Sequence, residues 1–479
     1  MEKNNKLYND VVIIGAGLSG INMACQLQRK LGVTDYVIYD RASALGGAWT
    51  ANQYPGCGVD IPGVLYSLSW FPNPNFTSIF PRQDEILAYI QKIANSYNVS
   101  QHTSLRTEWR GAKWIEKISR WHVYLEDIAT GQQYIHEAKI LISAVGGYTN
   151  PKYPSLQGME SFQGPIVHTA RWDKSYDFRG LDVVVIGNGC SASQVVPAVL
   201  DGVRSLTQII RSPQYYIPTV NLRITRAWQA CFQMIPFLLM LIRWVVFWFL
   251  ETSLFQFYDD QTGKKMRHQS ITRSRNYIKE NAPERYWPLL TPNYDLGCRR
   301  RILDHNYIKS LHDPRLFLTK DSITSVGPNS VRTASGAEYP ADAIILATGF
   351  QFSQWIGNII GRNGVSMKQH WDRHGGFEAY KTVAMNEFPN LFYLLGPNGG
   401  SGHTSVLYTM ECSVDLVIKI AAPVLKRKAS SVEVREEPET KWCNAVQEAL
   451  HKTVLTSDCS NLCALLGRDK VSKYVSLVL

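Results

Sequence analysis

The chain has 479 residues, of which 45% are hydrophobic and 19% are charged, and its formal net charge is +10. This composition excludes a disordered chain, and the length predicts two or three folded domains. The positive charge is not gathered in a basic tail or arm. Such an excess is compatible with nucleic acid, a membrane surface or a polyanionic cofactor, and the charge alone does not decide among them. Two phosphate-bearing dinucleotides would account for it, and no nucleic-acid partner is expected.

The cysteines and the start of the chain bear on metal binding and location. Nine cysteines occur without a Cys-x-x-Cys pair, so we expect no metal site. Their odd number favours reduced thiols. Residues 1–10 are polar and lack the apolar core of a signal peptide. These features predict a cytoplasmic protein, while the oligomeric state stays open.

The first predicted elements are a strand, a turn and a helix. Residues 8–14 are apolar on both faces, which is typical of a buried parallel strand. They run into a Gly-x-Gly-x-x-Gly turn at Gly15, Gly17 and Gly20. These glycines permit, in order, a tight turn, close approach of a pyrophosphate and packing of the helix on the strand. The next strand, residues 36–39, ends at Asp40, where an acid can bind a ribose hydroxyl.

A second unit of the same plan spans residues 182–211, after a predicted antiparallel meander at 109–137 and a strand at 139–144. Its candidate nucleotide-binding positions are Gly187, Gly189, Ser191 and Ala192. Its second strand ends at Arg211 and Ser212, where the first unit has Asp40. An acid would repel a 2′-phosphate, whereas an arginine beside a hydroxyl binds one. The second site is therefore predicted to prefer NADPH over NADH.

Residues 216–290 have a helical pattern without a glycine-rich turn and predict a helical insertion. Within it, residues 235–250 are almost entirely apolar, and cations cluster at 264–275. One interpretation is a helix buried against the nucleotide-binding domains or in a dimer interface, and this one is favoured. The other is peripheral membrane contact through residues 235–250. A full span is not expected, because Pro236 and Arg243 interrupt the apolar run.

Two stretches resemble the signatures of the Baeyer–Villiger monooxygenases, which are class B flavoprotein monooxygenases. The fingerprint F-x-G-x-x-x-H-x-x-x-W-[P/D] is matched at Phe162, Gly164, His168, Trp172 and Asp173. A second family signature is matched through Gly46, Gly47, Trp49, Tyr54, Pro55, Gly56 and Asp60. The segment 396–408 looks most like the fungal secondary-metabolite branch. The resemblance covers nearly the whole chain.

The resemblance implies that FAD binds in the first unit and NADPH in the second, and that O2 adds to C4a of the reduced flavin. The resulting peroxide would attack a bulky ketone, polyketide-like or terpenoid-like, and give an ester or lactone. The nearest alternative is a flavin monooxygenase that oxidises sulfur or nitrogen. A flavin disulfide reductase is disfavoured because no Cys-x-x-Cys pair is present. A protein that kept the fold but lost activity is also disfavoured, because no key residue is missing.

The resemblance also implies roles for single residues. A peroxide anion needs a permanent positive charge nearby, which arginine provides. The family's arginine segment corresponds to residues 297–301, so Arg300 is the catalytic candidate and Arg299 a candidate for the NADP 2′-phosphate, with the register open by one residue. Asp60 matches the active-site aspartate that would orient Arg300. Tyr66 matches a position that contacts the flavin, and for His168 a structural role is favoured over that of a base.

The predicted fold class is α/β, with two Rossmann-like doubly wound domains and a helical insertion. The FAD-binding domain is expected at residues 1–150 and 386–479, and a closing strand of the second unit at 343–347. The NADPH-binding domain is expected at 151–215 and 291–385, with the insertion at 216–290. Both cofactors should bind at the carboxyl ends of their strands.

Overall fold

The structure is a computed structural model that describes residues 7–351, 357–400 and 402–456. Parts of the predicted FAD-binding domain, residues 1–6 and 457–479, lie outside the described residues, as does Ser401. The strands are β1 Leu7–Ile14, β2 Tyr36–Tyr39, β3 Thr103–Ser104, β4 Thr107–Ile115, β5 Arg120–Asp127, β6 Gln133–Ser143, β7 Ile166–His168, β8 Asp182–Ile186, β9 Ser205–Ile209, β10 Tyr216–Pro218, β11 Ile302–Asp304, β12 Leu316–Thr319, β13 Ile323–Val326, β14 Ser330–Thr333, β15 Glu338–Pro340, β16 Ala343–Leu346, β17 Ile359–Ile360 and β18 Leu391–Tyr393.

The helices are α1 Leu18–Gln26, α2 Ala48–Ala51, α3 Gln83–Ser96, α4 Cys190–Leu200, α5 Arg226–Met234, α6 Pro236–Thr252, α7 Gln261–Asn281, α8 Trp287–Leu290, α9 Tyr307–Ser310, α10 Met367–Arg373, α11 Val406–Leu425 and α12 Glu436–His451. Some helices alternate with the strands, whereas α5 to α8 follow one another without a strand between them. Short 3₁₀ turns link several of them, and one of these turns, Ser253–Phe257, directly follows α6.

The larger sheet has the strand order β17-β4-β5-β6-β1-β2-β3, and β18 pairs with the second half of β6. Strands β6, β1, β2 and β3 are parallel, and β4, β5 and β6 form the predicted antiparallel meander. The last four residues of β1 are buried on both faces. One face packs against α1, α3 and α11, and the other against the meander and α10. This burial explains why the strand is uniformly apolar.

The smaller sheet is entirely parallel, with the order β12-β9-β8-β16-β7. Helix α4 packs on one face, and the opposite face packs against the antiparallel sheet β13-β14-β15. Two sheets with parallel strands at their centres, each entered through a strand, a glycine-rich turn and a helix, confirm the predicted α/β fold class with its helical region.

Two short strands depart from the expected boundaries. Residues 216–218, placed in the helical insertion, form β10 and pair in parallel with β11, on the far side of the insertion. Strand β17 pairs with β4, so the chain returns to the larger sheet well before the expected boundary at residue 386. Strands of two or three residues carry no measurable periodicity, which explains why sequence patterns missed them. The division into FAD-binding and NADPH-binding domains stays a prediction.

The apolar helix α6 is exposed, so one half of the favoured interpretation, burial against the nucleotide-binding domains, is wrong, while the other half, burial in a dimer interface, stays a prediction. Leu239 is its one buried residue. By length and composition, Pro236–Phe257 could cross a membrane, and only 6% of its most apolar 18-residue stretch is buried. Composition shows that a helix avoids water but not what covers it.

One cysteine also differs from expectation. The free thiols among the described residues are Cys25, Cys57, Cys190, Cys231, Cys412 and Cys443. Cys298 instead forms a disulfide, so the prediction of reduced thiols is wrong at this position. An odd number of cysteines cannot reveal which sulfur atoms the fold brings together.

Candidate active site

The first glycine-rich turn has the geometry that close packing of α1 on β1 requires. Gly15 has φ of +112°, a region that favours glycine. A Cβ at Gly20 would lie 2.0 Å from the carbonyl oxygen of Gly15. Gly17 caps α1 without a side chain, which leaves the first amide groups of the helix accessible to an anion.

The second signature loop lies directly against this turn. Gly47 has φ of +58°, and a Cβ there would lie 2.7 Å from the Cα of Gly17. The Oδ2 atom of Asp40 accepts a hydrogen bond from the amide of Ala16 at 2.6 Å, and its Oδ1 accepts one from the amide of Ala42 at 2.8 Å. Glycine backbone at a helix N-terminus fits the pyrophosphate of FAD, and the neighbouring carboxylate of Asp40 fits its ribose.

Trp49 and Tyr66 form an aromatic pair beside this loop. The indole Nε1 of Trp49 donates to the hydroxyl of Tyr66 at 3.0 Å, and the rings meet edge to face with centroids 5.5 Å apart. Burial raises the pKa of Tyr66, which keeps its hydroxyl protonated. The pair provides a fixed, uncharged wall of the kind that suits a flavin ring.

Arg300 and Asp60 are 240 residues apart in sequence and form a bidentate ion pair. Nε of Arg300 donates to Oδ2 of Asp60 at 2.8 Å, and Nη2 donates to Oδ1 at 2.7 Å. The negative charge of Asp60 raises the pKa of Arg300 above its usual value. The Arg300 side chain is still 47% exposed, so one side of this cation is open to the cleft described below. A planar fork held in this way is a fixed positive charge.

The three consecutive arginines have three different partners. Arg299 donates to the hydroxyl of Ser212, and its guanidinium lies 4.7 Å from the ring centre of Tyr294. Arg301 donates to Oε1 of Gln256 at 3.1 Å, and burial, followed by the charge of Arg300, lowers its pKa. Of the three, Arg300 is therefore the one that pairs with Asp60, and Arg299 is the one beside the residues expected to read the 2′-phosphate.

The second glycine-rich turn is more open than the first. Gly187 has φ of +119°, and a Cβ there would lie 2.4 Å from the carbonyl oxygen of Ala347. A Cβ at Gly189 would meet no heavy atom within 4 Å. Ser191 lies in the first turn of α4, and Ala192 is fully buried, where it packs α4 on the sheet. The open space at Gly189, at a helix N-terminus, fits a pyrophosphate.

A cleft with a volume of about 1030 Å³ opens between these groups. The predicted site residues that line it are Gly187, Gly189, Arg211, Ser212, Arg299 and Arg300. Lining residues that sequence reasoning missed include Lys152, Gln256, Phe257, Thr348 and Gly402. Thr348 directly follows the predicted closing strand 343–347, and Gly402 lies in the segment 396–408, but neither position was singled out as a site residue. The only sequence feature that pointed to Gln256 and Phe257 was their place just after the apolar helix.

The second signature loop also joins the two halves of the site. The hydroxyl of Tyr54 donates to Oε1 of Gln194 in α4 at 2.8 Å, and Nε2 of Gln194 donates to the carbonyl of Gly58 at 3.1 Å. A Cβ at Gly56 would lie 2.4 Å from the carbonyl oxygen of Gln194. These contacts hold the loop that carries Asp60 against the smaller sheet, which explains how Asp60 reaches Arg300.

None of the five fingerprint residues is among the described residues that line the cleft. A Cβ at Gly164 would lie 2.0 Å from the carbonyl oxygen of Asp342, while Phe162 packs beside the smaller sheet. The ring of Trp172 lies 5.3 Å from that of Phe178. Oδ1 of Asp173 accepts from the amide of Ser175 at 2.8 Å and from its hydroxyl at 2.7 Å. Phe162 and Gly164 lie before β7, and Trp172 and Asp173 lie after it, so these four residues make packing contacts and local hydrogen bonds around this strand.

His168, the central fingerprint residue, is buried at the end of β7. Its Nδ1 accepts from the amide of Ala170 at 3.0 Å, and its ring lies 5.5 Å from that of Tyr153. Burial lowers the pKa of His168 to about 4, so the ring is neutral at pH 7. This environment favours the structural role over that of a base. Separately, no group of three or more His, Cys, Asp or Glu residues that could hold a metal occurs in the described part of the chain.

Comparison with known proteins extends over almost the whole chain. A family model described as pyridine nucleotide-disulphide oxidoreductase matches residues 12–213. The chain is 34% identical over 447 residues to a Baeyer–Villiger monooxygenase of Pseudomonas aeruginosa, which covers 93% of this chain and 83% of that protein. It is 30% identical over 464 residues to an FAD-binding monooxygenase of Aspergillus niger, which covers 92% and 74%.

Solved structures give the same similarity in three dimensions. An oxidized steroid monooxygenase bound to NADP superposes with a TM-score of 0.85 at 25% identity, covering 97% of this chain and 94% of that one. A cyclohexanone monooxygenase from Rhodococcus bound to NADP⁺ gives 0.84 at 23% identity, covering 98% and 94%, which supports the fold alone.

Proposed function

This chain belongs to the family of FAD-binding Baeyer–Villiger monooxygenases, and on that premise we propose that it converts a bulky ketone, polyketide-like or terpenoid-like, into an ester or lactone. The resemblance found in the sequence motifs is confirmed by these relatives. The assignment as an NADPH-dependent flavin monooxygenase, with FAD and NADPH as cofactors, is confirmed at the level of the family. The ketone substrate and the step through a flavin C4a-peroxide are part of the proposal.

The observation that carries the proposal is the bidentate pair of Arg300 and Asp60. When bound, reduced FAD would supply the activation of O2. Arg300 would provide a positive charge that cannot be lost as a proton, beside the place where negative charge develops on oxygen. Asp60 would hold the guanidinium in one orientation through two hydrogen bonds of 2.8 and 2.7 Å.

Recognition of NADPH is proposed for the far side of the same cleft. Arg211 and Ser212 follow β9, and Arg299 donates to the hydroxyl of Ser212. Two guanidinium groups and a hydroxyl would bind the 2′-phosphate, which NADH lacks. The open backbone at Gly189 would receive the pyrophosphate.

The walls of the cleft suit an apolar substrate. Polar residues such as Lys152 and Gln256 share the lining with the arginines, and part of the wall is formed by apolar side chains that include Phe257, Leu296 and Phe350. Burial of hydrocarbon against such a wall supplies affinity without a specific polar partner. A ketone with a large apolar skeleton fits these walls better than a small polar one.

The proposal is tested by reducing the FAD-loaded protein with NADPH without oxygen and then mixing it rapidly with O2. We expect a long-lived absorbance of oxygenated flavin that decays faster when a ketone is added, together with an ester or lactone product. Reoxidation with release of hydrogen peroxide at a rate that no ketone changes would contradict the proposal. Faster decay with a thioether or amine, but with no ketone, would identify the heteroatom oxygenase instead.

A further inference from the structure

The outward face of α6 is a continuous apolar stripe. Its members are Phe237, Leu241, Trp244, Val245, Trp248 and Phe249, here called the apolar ridge. They are 49–73% exposed and repeat at intervals of three and four residues, which places them on one face of the helix. From residue 237 to residue 249, no residue in the exposed class is polar or charged.

The inward face of the same region carries the polar contacts. Nη1 of Arg243 donates to the carbonyl groups of Val64 and Ser67 at 2.8 and 2.7 Å. At the end of the helix, Glu251 lies 3.1 Å from Nε2 of His403. A surface helix of a soluble protein normally has the reverse arrangement, with its apolar side inward. Specific contacts therefore hold the apolar ridge outward, so its exposure is built into the fold.

Exposed cations flank the apolar ridge along the chain. Arg223 and Arg226 precede it, and Lys264 and Lys265 lie near the start of α7 beyond it. Two exposed acids, Asp259 and Asp260, lie between the apolar ridge and these lysines and offset part of this charge, with Lys264 Nζ 3.4 Å from Asp259. The whole chain nevertheless carries +10. In a symmetric pair of copies joined through this face, the flanking cations of one copy would face those of the other. Against anionic lipid, the same cations are attracted.

The geometry favours a helix lying on a bilayer surface. Arg243 joins α6 to the protein body near the middle of the helix, so its inner side is not available to lipid. The outer side presents Trp244 and Trp248, and indole rings are enriched at the boundary between lipid and water. Helices with an apolar face and nearby cations bind in this plane.

The apolar ridge is also continuous with the candidate active site. The 3₁₀ turn Ser253–Phe257 follows α6, and its residues Gln256 and Phe257 line the cleft. Gln256 accepts a hydrogen bond from Arg301, the neighbour of Arg300. A docked apolar ridge would therefore place the bilayer surface at the end of a segment that leads into the cleft.

We propose that the apolar ridge docks on the surface of an anionic lipid bilayer and that the substrate is an apolar ketone dissolved in that bilayer. The second part rests on the proposed function, whereas the first part does not depend on turnover. Docking is read out by binding alone, so a failure of oxygenation would not be mistaken for a failure of docking.

The test is co-sedimentation of the FAD-loaded protein at low salt with vesicles of phosphatidylcholine alone or mixed with phosphatidylserine. Wild type is compared with the double variant Trp244→Glu, Trp248→Glu. The matched control is Phe317→Glu, which changes an aromatic residue of similar exposure on β12 of the smaller sheet. We expect wild type and control to pellet with the anionic vesicles. The double variant should show a partition coefficient lower by roughly tenfold or more, because binding scales with buried apolar area.

Three results would overturn the proposal. Wild type could stay in the supernatant with both kinds of vesicle, or all three proteins could pellet equally. Sedimentation velocity could also show that wild type is a dimer that does not bind vesicles and that the double variant is a monomer. This result would assign the apolar ridge to contact between copies. If the double variant loses its flavin absorbance, it is set aside and wild type alone tests the proposal. Equal pelleting of wild type with anionic and with neutral vesicles would then overturn docking on anionic lipid. If the substrate is a ketone dissolved in the bilayer, the double variant should turn over a water-soluble ketone as fast as wild type does. It should turn over a vesicle-borne ketone more slowly.

Discussion

The two glycine-rich turns share one sequence pattern but differ in how enclosed they are. A Cβ at Gly17 would lie 3.6 Å from Gly47, because the second signature loop closes over the first turn. The equivalent position in the second turn, Gly189, has nothing within 4 Å of a Cβ and opens into the cleft. An enclosed site suits a cofactor that stays bound, and an open site suits one that leaves after each cycle. The loop that closes the first turn is therefore expected to give the two similar units different cofactor roles.

The largest expected effect lies where the two units meet. Replacing Arg300 with Ala should lower kcat by roughly 10²–10³, because a fixed charge beside the developing oxyanion is lost. Arg301→Ala is the matched control, since Arg301 donates to Gln256 and not to Asp60. Steady-state oxygenation and the lifetime of the oxygenated flavin measure the effect. Unchanged ketone oxygenation by Arg300→Ala would remove this residue from the catalytic step.

The difference between the turns is tested by adding one methyl group to each. Gly47→Ala should destabilise the first turn by about 1–3 kcal/mol, because alanine disfavours this backbone conformation and its Cβ would meet Gly17 at 2.7 Å. We expect the purified variant to lose most of its flavin absorbance. Gly189→Ala is the matched change in the open turn and should keep FAD while it weakens NADPH binding. Equal loss of flavin in both variants would mean that the two turns are not functionally distinct.

Local backbone requirements are the part of this molecule that the sequence predicts best. Gly15 and Gly187 both have positive φ, and Gly20 has no room for a side chain, so the motif follows from sterics within a few residues. The proximity of Asp60 and Arg300 depends on contacts across 240 residues and could be inferred only from a resemblance. Sequence left the register of the three arginines open, and their separate partners emerge only in three dimensions.

The exposure of α6 could not be predicted from the sequence either, for a different reason. Its composition indicates that the helix avoids water, and this holds equally for a core helix and for one that faces lipid. What distinguishes them is the direction of single side chains, such as the inward guanidinium of Arg243. The expected cytoplasmic location stays a prediction, and the vesicle experiment bears on it directly.

One buried histidine in the smaller sheet and one in the larger sheet give a pH prediction. Burial lowers the pKa of His168 in the smaller sheet, and of His136 in the larger one, to about 4. The unfolded chain takes up these protons near pH 6.5 and the folded chain only near pH 4, so stability is complete above about pH 6.5 and falls between these values. Each histidine accounts for on the order of 3 kcal/mol of this loss.

Substituting one histidine at a time separates their contributions to the pH dependence of stability. His168→Gln should flatten the fall in free energy of unfolding between pH 6.5 and 4, as measured by denaturant titration, and leave the pH profile of kcat unchanged. A shifted kcat profile would indicate that His168 takes part in proton transfer after all. His136→Gln is the matched variant in the other sheet, where the histidine ring accepts or donates a hydrogen bond with Tyr39 at 2.8 Å.

The smallest expected effect concerns the residue that most clearly distinguishes the two units. Arg211 occupies the position that Asp40 holds in the first unit, and it is exposed at the edge of the cleft. Arg211→Ala should raise KM for NADPH by about tenfold, since a hydrogen bond to a charged group contributes about 1.5–3 kcal/mol and Arg299 remains to bind part of the phosphate. KM for NADH should not change, because NADH has no 2′-phosphate. An equal rise for both cofactors would mean that Arg211 supports the fold of the turn and does not read the phosphate.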